Sequence, residues 1–395
     1  MKRSFLYSIF SLFLLLLPCG QTTANSNDSI RLSLLTCAPG EEIYSLFGHT
    51  AIRYENPSQG IDIVFNYGLF SFNTPNFIFR FSLGETDYQL GATDYERFAA
   101  EYAFFGRSVW QQTLNLTDEE KTELIRLLQE NYRPENRVYR YNFFYDNCAT
   151  RPRDKIEESI AGKVIYPAEP QDGSLTFRDI VHQYCKGHPW ARFGIDLCIG
   201  SEADQPITQR QMMFAPFYLM DAFDGAQIKG DSIQRPLITA NELIVDATPE
   251  PDESDWMPTP LQCSLLLFIL TAAATIYGIR RRTGLWGIDL FLFGIAGIVG
   301  CVLAFLALFS QHPAVSSNFL LLVFHPGQLL FLPYIIYCVR KGKKCWYLTL
   351  NLAVLTLFIV LFPVIPQRFD FAVVPLALVL LIRSASNLIV TSKKK

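Results

Sequence analysis

The stretch LQCSLLLFILTAAATIYGIRRR (residues 261–282) decides the fold class of the C-terminal part of this chain. Its apolar part approaches the roughly 20 residues that an α-helix needs to cross a bilayer, and three arginines follow it directly. Further apolar stretches follow, so the predicted spans are residues 261–279, 285–309, 319–339, 346–365 and 371–390. Residues 261–395 therefore predict an all-α bundle of five transmembrane helices.

The charges beside these spans predict their orientation. Basic clusters follow the first, third and fifth spans, at residues 280–282, 340–344 and 393–395, whereas the opposite loops carry only Arg368. Basic flanking residues favour the cytoplasmic side of a membrane. We therefore expect a multi-pass protein of a bacterial inner membrane, with its C-terminus in the cytoplasm and the preceding part in the periplasm.

The N-terminus indicates export independently of these charges. Lys2 and Arg3 precede the apolar residues 5–17, and small polar residues follow up to Ala24. This is the layout of a secretory signal peptide, predicted at residues 1–24, which is either cleaved near Ala24 or retained. A soluble domain at residues 25–246 and an acidic, proline-rich linker at 247–260 would connect it to the first span.

Overall charge and the remaining histidines exclude some classes of function. The net charge of −3 over 395 residues gives no reason to expect nucleic acid or an acidic polymer as partner. His182 and His188 flank Cys185, but their spacing fits no tetrahedral metal site, so we predict no metal.

Two cysteines of the soluble domain are close enough in sequence to form a disulfide. Cys185 and Cys198 are candidates for a bridge because an oxidising compartment permits one. Two buried free thiols are an equally good interpretation.

A β-hairpin is predicted from HTAIRY and IDIVFNY, which begin at His49 and Ile61 and are separated by turn-forming residues. Counting back from a symmetric turn places His49 opposite Asn66, and Arg53 opposite Asp62. His49 and Asn66 would then share one face of the hairpin.

A cysteine follows an aromatic run in the sequence YRYNFFYDNC, which ends at Cys148. Residues 149–161 can form a helix that Gly162 stops, and Asn147 is a good N-cap residue. Cys148 would then lie in the first helical turn.

A thiol at a helix N-terminus with an imidazole nearby is the arrangement that produces a cysteine nucleophile. Cys148 and His49 could supply these groups, with Asn66 or, in another register, Asp62 orienting the imidazole. A cysteine after an aromatic run is also typical of a protein core, so a non-catalytic envelope assembly module is one alternative.

Four strings of the soluble domain resemble the bacterial lipoprotein N-acyltransferase family Lnb. They are LLTCAPGEEIYSLFGHTAIRY (34–54), FNYGLF (65–70), YNFFYDNCATRPRD (141–154) and FGIDLCIGSEADQP (193–206), with weaker strings at 311–326. The order of histidine strand before cysteine helix is similar to the circularly permuted papain-like fold of the lecithin:retinol acyltransferase group. The resemblance implies an α+β periplasmic domain of this fold, followed by the membrane bundle.

The resemblance also implies a reaction. A fatty acyl chain would pass from a phospholipid donor through a Cys148 thioester to the α-amine of the diacylglyceryl-cysteine of lipoproteins, without a cofactor. His49 would act as general base and acid, and Asn66 or Asp62 would orient it. Backbone N–H groups at the helix start, with the Asn147 side chain, would hold the oxyanion.

Three residues of the membrane half are further candidates. His312, Asn318 and His325 lie in or just below the outer loop before the third span, on the side of the soluble domain. They could contact the substrate, although His325 beside Pro326 could equally satisfy backbone groups at a kink. Membrane lipids are expected partners of the bundle as a whole. A second alternative function, a thiol peptidase or amidase acting on the cell wall, is suggested by the papain-like likeness.

Overall fold

The computed structural model describes residues 30–71, 73, 75–168, 171–230, 234–247 and 257–392. The predicted signal peptide (1–24), most of the predicted linker (247–260) and the last three lysines lie outside the described residues.

Two antiparallel sheets form the framework of the soluble domain. The larger sheet has the strand order β10-β5-β1-β2-β3-β4-β6, and the smaller has the order β7-β8-β9. The strands are β1 Arg31–Cys37, β2 His49–Asn56, β3 Ile61–Leu69, β4 Asp87–Asp94, β5 Val109–Leu114, β6 Val138–Arg140, β7 Lys163–Ile165, β8 Gln227–Lys229, β9 Gln234–Pro236 and β10 Ile238–Val245.

Helices cover both faces of the larger sheet. They are α1 Phe77–Leu83, α2 Tyr95–Phe104, α3 Asp118–Tyr132, α4 Thr150–Ser159, α5 Phe177–Tyr184, α6 Pro189–Cys198, α7 Gln209–Met212 and α8 Pro216–Asp224. A capping box of Thr117 and Glu120 opens α3, as the sequence predicts.

Alternating side chains along the strands build two cores. Leu34 and Ile52 pack in a core with α3, α4 and α8, whereas Leu35 and Ala51 pack in a core with α2. The sheet is therefore buried on both sides, and an α+β domain is confirmed. The ends of β2 and β3, where the candidate residues lie, are held between these layers.

The hairpin of β2 and β3 forms, but the predicted register is wrong by two residues. Asn56 pairs with Ile61, so Asn66 stands opposite Ala51 and not opposite His49. The turn is tighter than a symmetric count assumes because residues 57–59 form a 3-10 turn that Gly60 ends at φ +65°. A shift of two preserves the face of each side chain, so His49 and Asn66 remain diagonal neighbours.

Three of the predicted spans are single helices long and apolar enough to cross a membrane. Within the described residues these are α9 Pro260–Arg281, α10 Trp286–Phe309 and α14 Val373–Ser392. Two shorter helices, α12 Leu332–Lys341 and α13 Trp346–Leu361, meet at an angle of 111°. The helical apolar region is thus confirmed, whereas five continuous spans are not.

The predicted span at residues 319–339 is not a single helix. The chain forms a 3-10 turn at Phe319–Leu322 and a short helix α11 at Gly327–Leu330 before α12 begins. Pro326 lacks an N–H and cannot continue a helix from the preceding turn. The Gln328 side chain donates to the Val323 carbonyl oxygen at 2.8 Å, which satisfies a backbone group that the break frees.

The domain that contains the two sheets docks on one end of the membrane helices. Arg368, in the loop before α14, binds Asp179 at 2.6 Å and Asp204 at 3.1 Å. The backbone of Gly200 donates to the Ala314 carbonyl oxygen, and Phe79 of α1 packs on Phe305 of α10. The two halves therefore make polar and apolar contacts at several places.

Candidate active site

The Asn147 side chain caps the start of α4 and fixes the position of Cys148. Its Oδ1 atom accepts hydrogen bonds from the backbone N–H groups of Ala149 and Thr150 at 2.8 and 3.0 Å. Cys148 lies in the turn between the cap and the first helical residue. Its thiol is therefore held at the positive end of a helix.

Cys148 is partly exposed and lies against the ends of β2 and β3. The backbone N–H groups of Thr50 and of Cys148 itself donate to its sulfur. Gly68 adopts φ +92° beside it, and a Cβ on that glycine would lie 3.5 Å from the Cβ of Cys148. Burial raises the thiol pKa to about 11 despite both donors, so the thiol is protonated at neutral pH.

His49 is the first residue of β2 and directly precedes Thr50. Its Nε2 atom lies 3.1 Å from Oδ1 of Asn66. Because this amide oxygen can only accept, Nε2 carries the hydrogen and Nδ1 is left to take up a proton. Burial lowers the imidazole pKa to about 4 and Arg107 adds to this, whereas the Asn66 hydrogen bond raises it. At neutral pH the imidazole is therefore uncharged and can act as a base.

The imidazole and the thiol are linked through Thr50, which follows His49 in β2 and contacts Cys148 with its backbone N–H. They are not hydrogen-bonded to each other. Among the bonds of the described residues, the polar partner of His49 is Asn66, and the donors to Cys148 are the two backbone N–H groups. Catalytic hydrogen bonds are often long before a substrate binds.

Asp62, the alternative orienting residue, is bound elsewhere. Its carboxylate accepts two hydrogen bonds from Arg53, at 2.8 and 2.7 Å. It lies four residues along β3 from Asn66, which is about 13 Å in an extended strand. The predicted contact between Arg53 and Asp62 therefore forms diagonally, and the imidazole is left with Asn66.

The Asn147 amide has no hydrogen free for an oxyanion. Its Nδ2 atom donates to the carbonyl oxygens of Phe143 and Phe214 at 2.8 and 2.9 Å. The N–H groups of Asn147, Ala149 and Thr150 are also bound, the first to the Thr150 hydroxyl at 2.8 Å. Of the N–H groups from Asn147 to Thr150, only that of Cys148 faces the sulfur.

The three membrane-half candidates are not brought together. His312 contacts the Phe81 carbonyl oxygen at 3.2 Å, and Asn318 donates to the Leu197 carbonyl oxygen at 2.7 Å. Both join the membrane half to the soluble domain. His325 lies inside the bundle, where its Nε2 atom is 3.2 Å from Oδ1 of Asn351. A substrate contact by these residues stays a prediction.

The predicted disulfide and the histidines considered as metal ligands can now be compared with the structure. Cys185 and Cys198 are free thiols, so the disulfide candidate is not formed. The reason lies in packing, because Cys185 is 2% exposed within a hydrophobic core, whereas Cys198 ends α6 beside the membrane half. Within the described ranges no group of three or more His, Cys, Asp or Glu side chains could hold a metal.

Tyrosines around the thiol were not predicted as site residues. Tyr88 of β4 pairs with Tyr139 of β6, and its ring stacks on Tyr141 at 4.1 Å. A charge on Cys148 would raise the pKa of all three hydroxyl groups, which indicates that they lie close to it. The aromatic run is visible in the sequence, but the pairing of β4 with β6 that brings Tyr88 to it is not.

Comparison with known protein families now gives two matches along the chain. The model described as Lnb N-terminal periplasmic domain matches residues 20–182, and the one described as Lnb transmembrane domain matches residues 252–395. The chain belongs to the Lnb family. Comparison with curated proteins and with solved structures gives no significant match. The Lnb domains and the apolar helices together identify a membrane protein with a periplasmic N-terminal domain.

Proposed function

We propose that this Lnb protein is a lipoprotein N-acyltransferase with Cys148 as its nucleophile. The observation that carries the proposal is a thiol at the start of α4, beside the strand residue that follows His49, in a domain docked on membrane helices. Family membership supports the acyltransferase role. The donor would be a phospholipid, and the acceptor the α-amine of the diacylglyceryl-cysteine of a lipoprotein.

In the first half-reaction, substrate binding brings His49 and Cys148 together. Nδ1 takes the thiol proton as sulfur attacks the carbonyl carbon of the phospholipid ester. The carbonyl electron pair moves to oxygen and forms an oxyanion. Its collapse breaks the carbon–oxygen ester bond, and the imidazolium protonates the leaving lysophospholipid, so an acyl thioester remains on Cys148.

In the second half-reaction, the lipoprotein amine attacks the thioester carbonyl. His49 takes a proton from the amine nitrogen, and the second oxyanion collapses by breaking the carbon–sulfur bond. The thiolate leaves and recovers its proton from the imidazolium. The products are an amide and the free enzyme, and no redox or nucleotide chemistry is needed.

An uncharged thiol and an uncharged imidazole in the resting enzyme are compatible with these two half-reactions. With the thiol pKa near 11 and the imidazole pKa near 4, the proton stays on sulfur until the ester is bound. A neutral thiol is a poor nucleophile, so oxidation and alkylation of Cys148 in the resting enzyme are limited.

A series of aromatic contacts supports a lipid substrate. From Tyr88 beside the thiol, ring contacts continue to Phe70 at 5.0 Å and from there to Phe77 of α1 at 5.5 Å. On the same helix, Phe79 is 56% exposed and packs 5.6 Å from Phe305 of α10. The exposed apolar end of this series at Phe79 could guide an acyl chain from the bilayer towards the thiol, a feature that a cell-wall hydrolase does not need.

The proposal is tested by mass spectrometry of lipoprotein N-terminal peptides from cells that depend on this gene. We expect triacylated peptides with the wild-type chain, and only peptides with a free α-amine with Cys148→Ala or His49→Ala, at equal membrane abundance of the protein. Unchanged triacylated peptides in the Cys148→Ala strain would contradict the proposal. Release of peptides from purified cell wall by the wild-type enzyme alone would favour the peptidase.

A further inference from the structure

Few hydrogen-bond donors at the start of α4 are left for the oxyanion of the proposed reaction. Asn147 uses both amide hydrogens on carbonyl oxygens, and the N–H groups of Ala149 and Thr150 are taken by its own Oδ1. The Cys148 N–H remains, with that of Thr50 across the sulfur. Acyl-transfer sites stabilise the oxyanion with preorganised donors, usually more than one. A side-chain donor is therefore expected on the side of the thiol away from the helix.

Tyr139 has a hydroxyl group in this region. The residue is 6% exposed, and its hydroxyl oxygen is buried without a hydrogen-bond partner among the described residues. Buried hydroxyls are nearly always bonded, so an unpaired one requires an explanation. A ligand that is present only during the reaction would provide one.

The position of this hydroxyl relative to the thiol follows from Gly68. The site of a Cβ on this glycine would lie 3.9 Å from the Tyr139 hydroxyl oxygen and 3.5 Å from the Cβ of Cys148. The two side chains therefore border the same small space at the end of β3. A side chain at position 68 would enter that space, and its φ of +92° also favours glycine.

The Tyr139 ring is held rigidly and is polarised. The Arg151 guanidinium lies 3.6 Å from the ring centroid and is itself fixed by Asp146, at 2.6 and 2.8 Å. A cation over the face of a phenol withdraws electron density and makes its hydroxyl a stronger donor. Tyr67 packs on the same ring at 6.3 Å, but its own hydroxyl donates to Asn131.

We infer that Tyr139 is a catalytic residue whose hydroxyl donates a hydrogen bond to the oxyanion formed when Cys148 attacks a carbonyl group. The inference rests on the proposed function for its natural substrate, a phospholipid ester followed by a thioester. The hydroxyl keeps its proton throughout, because burial holds its pKa far above neutral. It acts in both half-reactions, since each passes through an oxyanion on the same carbon.

The test compares Tyr139→Phe with Tyr67→Phe in the purified full-length protein. Both changes remove one hydroxyl and keep the ring. The probe is p-nitrophenyl butyrate, whose p-nitrophenolate burst reports acylation of Cys148, with Cys148→Ala as the blank. Rates are normalised to the amplitude of the burst, which counts the functional active sites and so corrects for misfolded protein.

We expect Tyr139→Phe to slow the burst about 100-fold at unchanged KM, as for the loss of one oxyanion donor, and Tyr67→Phe to leave it within about twofold. A Tyr139→Phe burst at the wild-type rate would overturn the inference. A Tyr139→Phe burst that is slower only because KM has risen would also overturn it. The same holds if Tyr67→Phe slows the burst equally. A second assay follows acyl transfer from phospholipid to a diacylated lipopeptide. If the wild type fails there while Tyr139→Phe still slows the burst, the inference stands and the proposed donor or acceptor is wrong.

Discussion

Nε2 of His49 lies 3.1 Å from Oδ1 of Asn66, although the two residues are diagonal and not directly opposite in the β2–β3 pair. The amide therefore sets the tautomer and orientation of the imidazole. Asp62, on the same face of β3, is bound to Arg53.

Asn66→Ala is expected to lower kcat for N-acylation about 10- to 100-fold. The imidazole loses the acceptor that keeps the hydrogen on Nε2, so Nδ1 is no longer reliably free to accept the thiol proton. Asp62→Ala is the matched control on the same strand and should retain most activity. The measurement is kcat and KM for both variants with phospholipid and a diacylated lipopeptide. Greater loss in Asp62→Ala than in Asn66→Ala would reverse the assignment.

The resting thiol is expected to react as a neutral group. With a Cys148 pKa near 11, the thiolate fraction rises about tenfold per pH unit from pH 7 to 10, and alkylation by iodoacetamide should rise with it. The His49 pKa near 4 means that the base stays uncharged, so kcat/KM should fall only as pH approaches 4. Peptide mass spectrometry resolves Cys148 from the other cysteines. An alkylation rate independent of pH between 6 and 9 would indicate a preformed ion pair instead.

Phe79→Ser is expected to impair the use of membrane-embedded donors. The change removes the apolar contact of α1 with Phe305 and should lower the rate with phospholipid vesicles about tenfold, the equivalent of about 1.4 kcal/mol of lost apolar contact. The rate with soluble p-nitrophenyl butyrate should not change. Phe104→Ser is the control and should leave both rates unchanged, because Phe104 is 81% exposed on α2. Equal losses on both substrates would show that Phe79 only supports the fold.

Gly300→Ala is expected to destabilise the membrane half. A Cβ at position 300 of α10 would lie 2.5 Å from backbone atoms of His325, so the broken segment before α12 could no longer pack there. Overpacking of this kind costs about 1–3 kcal/mol. Gly287→Ala, in the same helix, meets nothing within 4 Å and should leave the melting temperature in detergent unchanged. Equal melting temperatures for both variants would contradict this packing.

Some features of this fold follow directly from local sequence, and others depend on contacts between distant elements. Hydropathy predicts α9, α10 and α14 to within about two residues, and the capping box predicts α3. Period-two alternation preserves the shared face of His49 and Asn66 even where the turn length is misjudged.

Average apolarity hides the break at residues 319–339, because it does not register Pro326 or the specific hydrogen bonds, such as that from Gln328 to the Val323 carbonyl oxygen, that satisfy the freed backbone groups. The Asn147 amide is a similar case. Its cap is readable from the sequence, but its bond to Phe214, 67 residues away, is not. That tertiary bond is what removes it from the predicted oxyanion site.

The most direct test of the proposed mechanism measures the mass of the peptide that contains Cys148, after the purified protein has been incubated with phospholipid vesicles and no acceptor. We predict one fatty acyl group on the peptide that contains Cys148, removed by neutral hydroxylamine as a thioester is, and lost when a diacylated lipopeptide is added. The adduct should be absent from Cys148→Ala and greatly reduced in His49→Ala. An unmodified Cys148 in an enzyme that still acylates the lipopeptide would contradict the account.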